Sequence, residues 1–246
     1  MTRVIALGAS NLTRGLRTVV SMSRVAWGPE TEVIAALGLG RSYGERSRLV
    51  VRSLPGILQS GMWNALDAMP QAPSIGIVSD VGNDILYGYP PDQILGWVNE
   101  AVTRLQRHTR EIAITGLPFH NVSQLSERRF RIMRTFMFPS SSQTLAGARA
   151  SSIVVQAGLE RIAEELGLRF VPLLPEWYSW DPIHFRYRHW RRVWGEFLGL
   201  DPGAWTTPPE PGGLAEATRL WLRADEHRWL FGIHQHTPQR GRLQLY

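Results

Sequence analysis

Four short stretches hold the residue types that acyl transfer requires. They are Gly8-Ala9-Ser10-Asn11, the glycine-rich Gly38-Leu39-Gly40-Arg41-Ser42-Tyr43-Gly44, Gly82-Asn83-Asp84, and Asp181-Pro182-Ile183-His184. A serine hydroxyl is a weak nucleophile until a base takes its proton, and a histidine with an ordinary pKa of about 6.5 suits that task near neutrality. His184 is the candidate base. Asp181, three residues earlier in a proline-containing turn, is within reach of the imidazole Nδ1, where a carboxylate fixes the tautomer and stabilises the imidazolium. Negative charge developing on a tetrahedral intermediate needs donors already in place. The backbone N–H groups of Ser10 and Gly40 and the side-chain amide of Asn83 are the candidates.

Each of these residues also has a plainer use. Ser10 suits a helix N-cap, Asn83 an ordinary turn, Gly40 a backbone conformation closed to other residues, and Asp181 the cap of the last core helix. Taken singly, the stretches do not separate the two sets of roles. Their placement does more, because each follows an expected strand.

Arg3 to Leu7 is an apolar run ending at Gly8, and it leads into a helix-like pattern. Glu32 to Leu37, Ser74 to Ser79, Glu111 to Gly116 and Leu168 to Leu173 read as four further strands. Helical stretches separate them: Pro55 to Met69, Pro91 to His108, Ser123 to Phe138, Leu145 to Leu166 and Arg188 to Leu198. Strands alternating with helices predict a five-stranded parallel sheet covered on both faces. In such a sheet every strand-to-helix loop emerges on one edge, so all four stretches can converge there.

The ordered set resembles the SGNH hydrolases, also called GDSL-type esterases/lipases, over roughly residues 3 to 199. The resemblance implies a flavodoxin-like three-layer fold and metal-free, cofactor-free ester chemistry. Ser10 would then be nucleophile and oxyanion donor, Gly40 and Asn83 the other donors, and Asp181 and His184 the remaining triad members. Two departures stand out. The family's usual Gly-Asp-Ser is Gly8-Ala9-Ser10 here, without the acidic residue. Gly38, Gly40 and Gly44 all lie in reach of the oxyanion position, and spacing from the strand favours Gly40.

The 246 residues, 43% of them hydrophobic, suffice for one sizeable α/β domain over 1–200, with 201–246 as an appendage. Pro202, Pro208, Pro209, Pro211, Gly212 and Gly213 mark a linker, followed by an expected helix from Leu214 to Leu230 and a polar tail. This extension is expected to pack on the domain or on a second copy in a homo-oligomer. The chain has no cysteine, which excludes disulfides and thiolate metal sites. His234-Gln235-His236 sets two imidazoles together, but no carboxylate pattern accompanies them, and no metal site is expected. With a strand beginning at residue 3 and no long apolar run, the expectation is a cytoplasmic protein without a membrane span.

The partner expected is a small ester or an acylated carbohydrate, and Arg41, in the glycine turn, could meet an anionic group on it. Transfer of the acyl group to an alcohol other than water would use the same residues. A different class of reading is an inactive scaffold binding an anionic polymer or sugar. It draws on the net charge of +6, on Ala9 in place of the acidic residue, and on the interleaved Phe185-Arg-Tyr-Arg-His-Trp-Arg-Arg-Val-Trp stretch. Against nucleic acid, Trp190, Val193, Trp194 and Phe197 fall at the three-to-four spacing of a buried helix face.

Overall fold

The structure, a computed structural model, describes residues 2–49, 51–138, 141–206 and 225–246. Its strands are β1 (Arg3–Leu7), β2 (Glu32–Ala36), β3 (Ser47–Leu49), β4 (Arg52–Leu54), β5 (Ser74–Val78), β6 (Glu111–Thr115), β7 (Arg169–Val171), β8 (His227–Leu230), β9 (Ile233–His236) and β10 (Leu243–Leu245). The helices are α1 (Ser10–Trp27), α2 (Met62–Ala68), α3 (Gly82–Tyr87), α4 (Pro91–Leu105), α5 (Phe119–Ser123), α6 (Glu127–Met137), α7 (Leu145–Glu165), α8 (Trp190–Leu198) and α9 (Pro202–Thr206).

The main sheet runs β10-β2-β1-β5-β6-β7, and every pairing in it is parallel. Side chains of β1 alternate between its two faces. Val4 and Ala6 enter the apolar layer shared with α1 and α8, whereas Ile5 and Leu7 enter the layer shared with α2, α4 and α7. All five β1 residues are buried, which is why the strand reads as an unbroken apolar run. The fold is therefore the three-layer α/β architecture expected, with six strands where five were read. The additional one, β10, comes from the C-terminal extension, where Leu243-Gln244-Leu245 pairs with Val33, Ile34 and Ala35.

The same extension corrects a second expectation. Residues 214–224 lie outside those described, but His227–Leu230 is a strand, so the helix expected to run to Leu230 does not reach it. Its hairpin partner is β9, and the two join β3 and β4 in an antiparallel four-stranded sheet, β3-β4-β8-β9. The β8–β9 loop consists of Phe231 and Gly232, both left-handed (φ 52° and 81°), the geometry of a type I′ hairpin turn. Helix α2 also starts later than Pro55, after a single 3₁₀ turn at Ile57–Gln59.

The order of the main sheet decides where a site can form. From β1 the chain moves outward to β2, then returns to pair β5 on the other side of β1. The loops leaving the carboxyl ends of β1 and β5 thus diverge and open a crevice between them. Ser10 follows one strand and Asn83 the other.

Candidate active site

Strand β1 ends at Gly8, which has no room for a side chain: a Cβ there would lie 2.6 Å from Ser79 Oγ. Ala9 precedes α1, and Ser10 is the helix's first residue. The capping role open to Ser10 is filled by another group. Asp80, just past β5, accepts hydrogen bonds at Oδ2 from the backbone N–H groups of Ala9 (2.8 Å), Asn11 (3.1 Å) and Leu12 (3.2 Å). Its carboxylate caps α1 from outside the helix and leaves the Ser10 N–H out of this set. Asp80 holds a left-handed backbone (φ 61°), which aspartate tolerates better than most residues.

The Ser10 hydroxyl points instead to His184, with Oγ 2.9 Å from Nε2. On the other side of the ring, Nδ1 lies 2.6 Å from Asp181 Oδ2. An ionised carboxylate only accepts, so the ring hydrogen sits on Nδ1 and Nε2 presents its lone pair to the serine hydroxyl. Asp181 Oδ1 also accepts from the backbone N–H groups of Ile183 (3.2 Å) and His184 (3.3 Å), which closes the 181–184 turn. Partial burial works against ionisation of Asp181. The His184 hydrogen bond and charge, the Ile183 N–H and the Arg14 charge outweigh it, and the carboxyl is held below its ordinary value. Ser10 and His184 are both about 5% exposed.

Two residues that sequence reasoning did not single out hold this arrangement. Asn11 donates from Nδ2 to Asp80 Oδ1 (2.8 Å) and to the Ile183 carbonyl (2.9 Å), and its Oδ1 accepts from the Phe185 N–H (3.0 Å). Asn11 and Asp80 therefore fasten the 181–185 loop to the start of α1. Asp80 also places a carboxylate beside the Gly-Ala-Ser turn, where Ala9 offers none. The only signal was that each polar residue directly follows a strand end or the candidate serine.

The second and third stretches are stapled together. Asn83 Nδ2 donates to the Arg41 carbonyl (3.2 Å), which leaves its second hydrogen for another acceptor. The Asp84 carboxylate accepts from the Tyr43 N–H (2.9 Å) and lies fully buried. Burial pushes its carboxyl up to about 7, against the pull of hydrogen bonds from Ser42 and Tyr43. The three glycines of the turn separate by surroundings. A Cβ at Gly44 would overlap the Trp97 ring at 1.8 Å, and one at Gly38 would lie 2.3 Å from Leu54. Gly40 is left-handed (φ 68°), a Cβ there would meet only the Tyr87 hydroxyl, at 3.5 Å, and its carbonyl accepts from that hydroxyl at 2.7 Å.

Arg41 does not face the crevice, and its expected contact with substrate is corrected. Its side chain is fully buried, with Nε donating to the Pro55 carbonyl (3.0 Å) and Nη1 to the carbonyls of Leu37 (2.9 Å) and Tyr246. Nor does it pair with Asp80 or Asp84. Burial lowers its guanidinium to about 10, partly offset by the charge of Asp225. Its hydrogen bonds go to three backbone carbonyls. Phe185, Trp194 and Phe197 turn inward, with Trp194 and Phe197 fully buried in the α1–α8 layer, whereas Tyr187 of the Arg-rich stretch is exposed.

A cavity of about 60 Å³ opens beside Ser10, Asn83 and Asp80. Its far wall is apolar, formed by Leu86, Leu117, Leu125, Phe130 and Met133. Among the described residues no helix is long and apolar enough to cross a membrane.

No protein-family model matches the chain, and neither does any curated protein. Solved structures do. A carbohydrate acetylesterase family member from Sinorhizobium meliloti is similar over 81% of this chain and 100% of its own, at 21% identity and a TM-score of 0.51. A member of the lipolytic protein G-D-S-L family from Veillonella parvula is similar over 81% and 98%, at 13% identity and 0.52. A GDSL-like lipase from Bacteroides thetaiotaomicron is similar over 78% and 84%, at 13% identity and 0.50. These likenesses show the SGNH hydrolase fold.

Proposed function

We propose that the protein is a serine hydrolase of small O-acyl esters. The observation that carries this reading is the continuous chain from Ser10 Oγ to His184 Nε2 (2.9 Å) and from His184 Nδ1 to Asp181 Oδ2 (2.6 Å). In the proposed reaction His184 Nε2 takes the hydroxyl proton as Ser10 Oγ bonds to the ester carbonyl carbon. The oxyanion accepts from the Ser10 N–H, the Gly40 N–H and the second Asn83 Nδ2 hydrogen. Collapse breaks the bond to the alcohol, which leaves with the proton from His184. Water, deprotonated by His184, then releases the acyl group from Ser10.

The cavity beside Ser10 limits the acyl half. About 60 Å³ with an apolar wall suits a short acyl group. The similarity to a carbohydrate acetylesterase family member agrees with a short acyl group and favours an acylated sugar as the alcohol half.

Ser10→Ala tests the reading. The variant should lose at least about 1000-fold in kcat on a chromogenic acetyl ester, and a fluorophosphonate should form an adduct on Ser10 of the unaltered protein, mapped by mass spectrometry. Undiminished turnover in the variant, or an adduct elsewhere, would overturn it. Measuring acyl transfer to added alcohols alongside hydrolysis separates the hydrolase from an acyltransferase.

A further inference from the structure

We propose that the β8–β9 hairpin binds a divalent transition-metal ion of the zinc class through His227, His236 and Glu226. Alone, His234-Gln235-His236 is a pair without a carboxylate. Folding supplies what is missing. The antiparallel register sets His227 opposite His236 and Trp229 opposite His234, so three imidazoles share one face of a two-stranded ribbon. Glu226 immediately precedes β8. One ligand atom from each of Glu226, His227 and His236 lies within 4.8 Å of the others, with His227 Nε2 and Glu226 Oε2 3.8 Å apart. Ligands at about 2.0–2.2 Å from a tetrahedral zinc ion stand about 3.4 Å apart. Small side-chain rotations therefore close the set.

Two further observations point to a ligand here. Glu226 Oε2 is buried with no hydrogen-bond partner among the described residues, a costly condition that a cation would relieve. His227 Nδ1 is 3.1 Å from His234 Nε2, and the His227 ring stacks on both His234 and His236, with centroids 5.2 and 4.7 Å away. With Nδ1 donating to His234, the lone pair of His227 falls on Nε2, the atom facing Glu226. His234 would then fix the tautomer and ring orientation of a ligating His227, the part that a carboxylate, a backbone carbonyl or water usually plays at a metal site. His234 is in turn packed against Trp229, centroids 4.6 Å apart. Two nitrogens and one carboxylate oxygen select zinc, copper, nickel or cobalt over magnesium or calcium, and solvent takes the fourth position.

The test uses the full chain without an affinity tag. Titration with Co²⁺ should produce visible d–d absorption of a nitrogen–oxygen site, which Zn²⁺ displaces at one equivalent. The double variant H227A/H236A and Glu226→Gln should each weaken Zn²⁺ binding at least 10-fold by calorimetry, and His234→Ala should weaken it less. Fluorophosphonate labelling of Ser10 should persist in all of them, so failure here is distinguishable from failure of the hydrolase reading. Zn²⁺ should also protect His227 and His236 of the unaltered protein from diethylpyrocarbonate, a readout that needs no variant to fold. No absorption with Co²⁺, affinity unchanged in the variants, or modification undiminished by Zn²⁺ would overturn the site.

Discussion

Asp80 shows how much of the candidate site depends on a residue outside the reacting set. Its carboxylate receives three backbone N–H groups at the start of α1 and the Asn11 side chain, so it sets the helix entry on which Ser10 stands. Asp80→Ala leaves those donors without an acceptor, and the expected loss of stability is about 2–4 kcal/mol, read as a lower urea midpoint. As a positioning residue it should also lower kcat by more than 10-fold with little change in KM. Asp80→Asn, which keeps one accepting oxygen, should recover part of both. Asn83→Ala is expected to act differently, with kcat reduced by roughly 100- to 1000-fold if its free hydrogen meets the oxyanion. A loss under threefold would leave Asn83 only its bond to Arg41. Asp84 supplies a pH signature. Its carboxyl, raised to about 7, stays protonated in the folded chain where the unfolded chain, at the ordinary 3.8, has already released the proton. Its contribution is thus fully present below the unfolded pKa and is lost as pH rises through about 7, at up to about 1.4 kcal/mol per pH unit. Urea midpoints from pH 5 to 8 should fall less steeply in Asp84→Asn than in the unaltered protein.

At the level of elements, the glycine turn is held from beneath and not by what it binds. Arg41 ties Leu37, Pro55 and Tyr246 together, while Asn83 and Asp84 hold Arg41 and Tyr43 from the start of α3. Arg41→Ala should therefore lower the melting temperature and slow neutral and acidic esters by the same factor. A selective loss on acidic esters would return it to the substrate. The central strands were legible in the sequence because burial on both faces makes a continuous apolar run, and the four site stretches because each directly follows a strand or leads into α8. The antiparallel sheet was not legible. Its strands are three or four residues long, and Ser-Arg-Leu, Arg-Ser-Leu and Ile-His-Gln-His carry no alternation that two pairings of neighbours would not equally explain. Asp80 escaped notice for a related reason: a polar residue after a strand looks like any turn residue until the helix it caps, 71 positions earlier, is beside it.

Across the whole molecule, the two ends of the chain meet at the same sheet. Strand β10 closes the edge beyond β2, burying Leu243, Leu245 and Tyr246, and the Tyr246 carbonyl receives Arg41 from the glycine turn. The last residues are thus part of the scaffold that fixes the second candidate oxyanion donor, not an independent tail. Removing residues 243–246 would expose β2 along its length and forfeit three buried apolar side chains, at about 1.5–3 kcal/mol each. The urea midpoint should drop accordingly. Because Arg41 would also lose one of its carbonyls, the turn bearing Gly40 should loosen, and kcat should fall further than in Leu243→Ala, which removes packing but keeps the Tyr246 contact. Equal kcat in the truncated chain and in Leu243→Ala would confine the C-terminal strand to stability and detach it from the geometry of the crevice.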